Sequence, residues 1–99
     1  MADEASSGAL TLRILTPQGE LAGVSCESIT LPLADDRAGR GGGSIGIRRG
    51  HEKCIMALRK GRAAAKIGGE TVFSAEISGG FAAVENNEVQ ILTPEAVKE

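Results

Sequence analysis

The sequence predicts an all-β domain, an antiparallel sandwich of about eight to ten short strands. Three observations carry that expectation. Apolar and polar side chains alternate in short runs, which sends successive side chains to opposite faces of a strand. Gly, Pro and Asn recur at the ends of those runs, where turns are needed. Before Thr93 no stretch of useful length carries a helical period.

The elements follow in chain order. Residues 1–9 open small and acidic rather than basic then apolar, so they read as a disordered lead and not as a signal peptide. Leu10-Thr11-Leu12-Arg13-Ile14-Leu15 alternates as a first strand, and Thr16-Pro17-Gln18-Gly19 suits a type I turn. Residues 20–25 and 27–33 are two further strands with Val24, Ile29 and Leu31 facing inward; Pro32 points to an edge or a strand end. Residues 34–43, with Asp35-Asp36 and three consecutive glycines, read as a mobile surface loop. Residues 44–47 form a brief strand, and residues 48–53 a polar turn. The apolar pattern resumes in Cys54-Ile55-Met56-Ala57-Leu58 and turns again at Arg59-Lys60-Gly61. Residues 62–67 and 70–77 are strands joined by Gly68-Gly69.

The last hairpin is the most legible element. Gly79-Gly80 opens it, Phe81 to Glu85 alternates, and Asn86-Asn87 supplies a pair that tolerates positive φ. Val89 and Ile91 then alternate with Glu88, Gln90 and Leu92. Thr93-Pro94-Glu95 has the form of a helix start, with Thr as N-cap and Pro in the first turn. Residues 94–99 are too few for a stable helix and read as a short tail behind a domain at residues 10–93. The expected core contains Leu12, Ile14, Ile29, Leu31, Phe73, Phe81, Val84, Val89 and Ile91.

Composition narrows the function classes. Phe73 and Phe81 are the only aromatic residues, too few for stacking nucleic-acid bases as a main activity. No apolar run approaches the roughly 20 residues of a membrane-spanning helix. Cys26 and Cys54 fit neither a CxxC nor a zinc spacing and read as ordinary thiols. Charge is unevenly spread. Nine of the eleven Lys and Arg lie between Arg37 and Lys66, opposed there only by Glu52, for a net +8. Each flank carries six acids against one cation.

The motifs give no catalytic centre. Gly41-Gly42-Gly43-Ser44-Ile45-Gly46 matches GxGxxG in form, but no helix follows it, as a dinucleotide fingerprint requires. The RAGRGGG run from Arg37 to Gly43 lacks interleaved aromatics. His51 lies near Ser44, Glu52 and Cys54 in sequence, without the nucleophile–base–carboxylate arrangement that catalysis needs. No metal or cofactor site is expected.

An ordered series of segments carries a family resemblance. It comprises residues 12–20, 27–32, 43–47, Gly50-His51, residues 57–61 and the glycine-led final hairpin through Thr93. Together they resemble the epsilon subunit of F-type rotary ATP synthases over roughly residues 10–93. The resemblance implies a β-sandwich of about ten strands, no catalytic residue and no cofactor. It also implies a structural role on the cytoplasmic side of the membrane, joining the gamma subunit to the ring of c subunits.

Residues 43–51 match a loop–strand–loop that faces gamma and the ring in that family. The expected partner contacts are therefore Ser44, Arg48, Arg49, His51, Glu52 and Lys53. Arg48-Arg49 stands where the family carries an apolar pair, and Glu52-Lys53-Cys54 where it carries Ala-Pro-Leu. The family's C-terminal helical hairpin is expected to be absent, and with it ATP binding and inhibition of hydrolysis. The alternative is a small nucleic-acid-binding β-barrel using residues 37–66.

Overall fold

The computed structural model describes residues 10–34 and 43–99; residues 1–9 and most of the expected 34–43 loop lie outside the described residues. Ten strands form: β1 (Leu10–Thr16), β2 (Gly19–Cys26), β3 (Ser28–Pro32), β4 (Ser44–Arg48), β5 (Cys54–Leu58), β6 (Gly61–Ile67), β7 (Glu70–Ile77), β8 (Gly80–Glu85), β9 (Glu88–Leu92) and β10 (Ala96–Lys98). They make two five-stranded sheets, ordered β2-β1-β9-β8-β5 and β10-β7-β6-β3-β4.

Period-2 alternation decides which side chains enter the space between the sheets. β1 sends in Leu10, Leu12 and Ile14; β8 sends Ala82 and Val84; β9 sends Val89 and Ile91. The second sheet answers with Ile29, Leu31, Ile47, Ala63, Ala65, Phe73, Ala75 and Ile77. With two phenylalanines and no larger aromatic in the chain, the core is a close fit of branched aliphatics and alanines.

Turn chemistry fixes the hairpins. Asn86 and Asn87 have φ of 53° and 62°, and Gly68 and Gly69 have 58° and 83°. Positive φ at both central residues is the mark of a type I′ turn, whose twist matches that of the strands it joins. Gly80 is required for a second reason. A Cβ there would overlap the carbonyl oxygen of Leu92, and φ is 113°.

β1 pairs with β2 antiparallel but with β9 parallel; the other pairings between strands are antiparallel. Almost the whole chain separates β1 from β9, so the parallel pair needs no tight connection. Along one side of the sandwich the end of β3 meets the end of β5 and closes the gap between the sheets. There Leu33 bridges Leu58, Arg59 N donates to Pro32 O at 3.1 Å, and Ala34 N donates to Ala57 O at 3.1 Å.

One expectation fails. Phe81 is not core: it is 56% exposed. Val84 and Phe81 are three residues apart on one strand, so they must face opposite ways, and Val84 is the inward one. The short tail expected at residues 94–99 forms no helix but is not loose either: part of it is a strand. Thr93 is buried, its Oγ1 donates to Glu95 O at 3.1 Å, and Glu95 N donates to Ser78 Oγ at 3.1 Å. Those bonds deliver Ala96–Lys98 to the edge of β7 as a tenth strand.

Candidate functional site

The residues expected at a partner contact do not come together as one cluster. Ser44 begins β4 and Arg48 ends it. Four residue steps along a strand separate them by about 13 Å, so Ser44 sits at one end of the sandwich and the others at the opposite end. There the β4–β5 turn is held in place. His51 N donates to Arg48 O at 3.1 Å, and Gly50 N donates to Asn87 Oδ1 at 2.8 Å, tying the turn to the β8–β9 hairpin. Arg48, Arg49, Glu52 and Lys53 are exposed, while His51 is half-buried. The His51 Nδ1 lies 2.9 Å from Glu52 O and 3.9 Å from Cys54 Sγ. Lys53 Nζ is 3.6 Å from Glu85 Oε2 across the gap to β8.

The other described cations of the basic segment are dispersed. Arg59 and Lys60 turn the chain between β5 and β6, at the far end from Arg48. Arg62 pairs with Glu99 at 2.9 Å, and Lys66 is the last residue but one of β6. Arg37 and Arg40 lie outside the described residues.

A second surface was not expected. The outer face of the first sheet carries a row of apolar side chains running across the strands. Leu15 lies beside Leu92, Leu92 opposite Phe81, and Phe81 opposite Ala57. Phe81 and Leu92 are each more than half exposed, and Ile55 on β5 is 76% exposed. With Thr16, Pro17 and Pro94 at its end, the row forms an apolar groove of about 440 Å³. Large apolar groups left in water on a sheet interior mark an interaction site.

Beside the groove the same face turns polar. Ala83 is the floor of a shallow depression of about 250 Å³ edged by Glu85, Asn86, Glu88 and Gln90. Arg13 on β1 binds Glu20 Oε1 at 3.0 Å and Glu88 Oε2 at 3.1 Å. The hydrogen bond from Arg13 holds the Glu20 carboxyl below its ordinary range. Hydrogen bonds from Gln90 and then Arg13 do the same for Glu88, and the two carboxylates raise the guanidinium.

Among the described residues no three His, Cys, Asp or Glu side chains converge as metal ligands, and no helix is long and apolar enough to cross a membrane. The signal that could have found the apolar row was parity. Phe81 shares its face with Ala83 and Glu85, and a phenyl ring on the polar face of a strand is already out of place.

Similarity to known proteins agrees with this architecture. The model of the ATP synthase delta/epsilon chain β-sandwich domain matches residues 9–99. The ATP synthase epsilon chain of Prochloron didemni is 37% identical over 83 residues, covering 84% of this chain and 55% of that protein. The epsilon chain of a Synechococcus strain is 33% identical over 87 residues, covering 88% and 58%. The chain thus spans little more than half the length of these curated relatives. A chain in the Euglena gracilis mitochondrial ATP synthase structure (OSCP/F1/c-ring) superposes with a TM-score of 0.75 at 27% identity, over 98% of this chain and 57% of that one. One in the Tetrahymena thermophila central stalk/c-ring structure gives 0.65 at 18%, over 88% and 64%, which speaks to fold alone.

Proposed function

The chain belongs to the ATP synthase delta/epsilon chain family, in its β-sandwich domain, and we propose that it is a non-catalytic part of a rotary ATP synthase. In this role it joins a gamma-type stalk subunit to a c-type ring, so that stalk and ring turn together. It sits peripherally, on the cytoplasmic side of the membrane, within that complex.

The observation that carries the reading is the row Leu15–Leu92–Phe81. It is an apolar strip in the middle of a sheet whose inner face is already filled. Arg48, Arg49, His51, Glu52 and Lys53 form a second, charged contact that steers assembly, since rim charges affect association more than final affinity. Ser44 belongs to the opposite end. The nucleic-acid alternative is disfavoured, because the cations that motivated it are spread over both ends among the described residues.

Co-purification with gamma and c subunits tests the reading. Recovery of both supports it; recovery of neither overturns it. Reversing Arg48 and Arg49 to Glu leaves the fold intact and weakens recovery mainly at low salt, because exposed charge pairs are worth only about 0–1 kcal/mol each.

A further inference from the structure

We propose that the outer face of the first sheet receives an amphipathic helix of the partner, with apolar side chains on Leu15, Leu92 and Phe81 and a Lys or Arg over Ala83. The inference rests on the reading above only for which protein supplies the helix.

Backbone pairing excludes a strand as the occupant. β1, β9 and β8 are each paired on both sides, so no free N–H or C=O remains beneath Leu15, Leu92 and Phe81, and only side-chain packing can hold a partner over them. The row runs across the strands rather than along one. From β1 to β5 it crosses three inter-strand steps, about 14 Å, which a helix of roughly ten residues spans at 1.5 Å per residue. A helix of that length presents side chains at i, i+3, i+4 and i+7 as one stripe.

Charge defines the flank of the helix. Glu85 and Glu88 are direct cross-strand partners at the end of the β8–β9 hairpin, and both edge the depression over Ala83. Alanine at that position leaves room above the sheet between Phe81 and Glu85. Glu20 and Glu88 share the single cation Arg13, and Glu85 has only Lys53. The cation nearest Glu85 is a weak competitor: Lys53 stands 3.6 Å away with both side chains mostly exposed. A pair of that kind is readily exchanged for an incoming guanidinium or ammonium. Glu88 is held in position by Arg13 and by Gln90 Nε2 at 3.2 Å.

The test is an amide NMR titration of this chain with two model helices of about 18 residues, long enough to be helical. One carries a leucine stripe with lysine flanks, the other the same stripe with glutamate flanks. The lysine peptide should shift the amides of Leu15, Phe81, Ala83, Glu85 and Leu92, and bind about tenfold more tightly than the glutamate peptide, a difference of about 1.4 kcal/mol. Phe81→Ser, at an exposed position, should weaken both peptides. Glu85→Gln combined with Glu88→Gln should erase the preference between them. Shifts centred on the Arg48–Lys53 turn, or equal affinity for the two peptides, would overturn the proposal. The outcome is independent of gamma recovery. Peptide binding without gamma recovery faults only the assignment to the rotor; gamma recovery with a footprint elsewhere faults only the helix.

Discussion

Phe81 lies directly opposite Leu92 across β8 and β9, and both side chains stand in solvent on the outer face of the sheet. The chain neighbours Ala82, after Phe81, and Ile91, before Leu92, are also partners and are fully buried. The same two strands therefore carry a core pair and a surface pair side by side. Phe81→Ala should cost about 1 kcal/mol or less, the scale of a cross-strand contact. Ile91→Ala should cost about 2–5 kcal/mol, through lost burial and the cavity left behind. Urea unfolding of the two variants measures both, and equal costs would mean that Phe81 is packed inside.

Gly80→Ala tests the entry to the same hairpin. The added methyl meets the Leu92 carbonyl oxygen while φ stays at 113°, so backbone strain and overlap act together. The loss should reach at least about 2–3 kcal/mol, read as a lowered urea midpoint. Gly46→Ala, where a Cβ meets open space, is the comparison and should lie within about 1 kcal/mol of the parent.

The two thiols should separate kinetically. Cys26 is 2% exposed, and burial pushes its pKa up to about 11, whereas Cys54 is half-buried beside His51. Because the thiolate is the reactive species, maleimide at pH 8 should label Cys54 in the folded protein and both cysteines in urea. Labelling of Cys26 at the rate of Cys54 under native conditions would contradict the packing of β2 against β1.

Acid should weaken the outer-face network. Glu20 and Glu88 have folded pKa values below the ordinary range, through Arg13 in the first case and through Gln90 then Arg13 in the second. Their stabilising effect is present above the unfolded value of about 4.3 and is lost as pH falls through the lowered folded value. The groups are exposed and screened, so the effect is small. The fall in melting temperature between pH 6 and pH 3 should be smaller in Arg13→Met than in the parent. An equal fall would show that these pairs contribute nothing.

Much of the fold was legible because local chemistry and global architecture agree. Asn86-Asn87 and Gly68-Gly69 announced their turns, since few other pairs accept positive φ twice. Leu12, Ile14, Ile29, Leu31, Val84, Val89 and Ile91 announced the core by alternation. Phe81 was misread where hydrophobicity was set above parity. The strand at Ala96–Lys98 was not legible in the short tail, because the edge of β7 that draws it in lies some twenty residues earlier. The parallel pairing of β1 with β9 and the separation of Ser44 from Arg48–Lys53 are matters of sheet order, which no local signal carries.

The central claim is that the apolar row on the first sheet docks the rotor partner. The most direct measurement is recovery of a gamma-type subunit by the parent chain, by Phe81→Ser with Leu92→Ser, and by Arg48→Glu with Arg49→Glu, over a range of salt. Both pairs of positions are exposed, and unchanged circular dichroism would confirm that the variants fold. The account predicts a loss of at least about tenfold for the Phe81 and Leu92 variant at every salt concentration, since burial of apolar area is insensitive to screening. It predicts a smaller loss, confined to low salt, for the arginine variant. Full recovery of gamma by the folded Phe81 and Leu92 variant would contradict it.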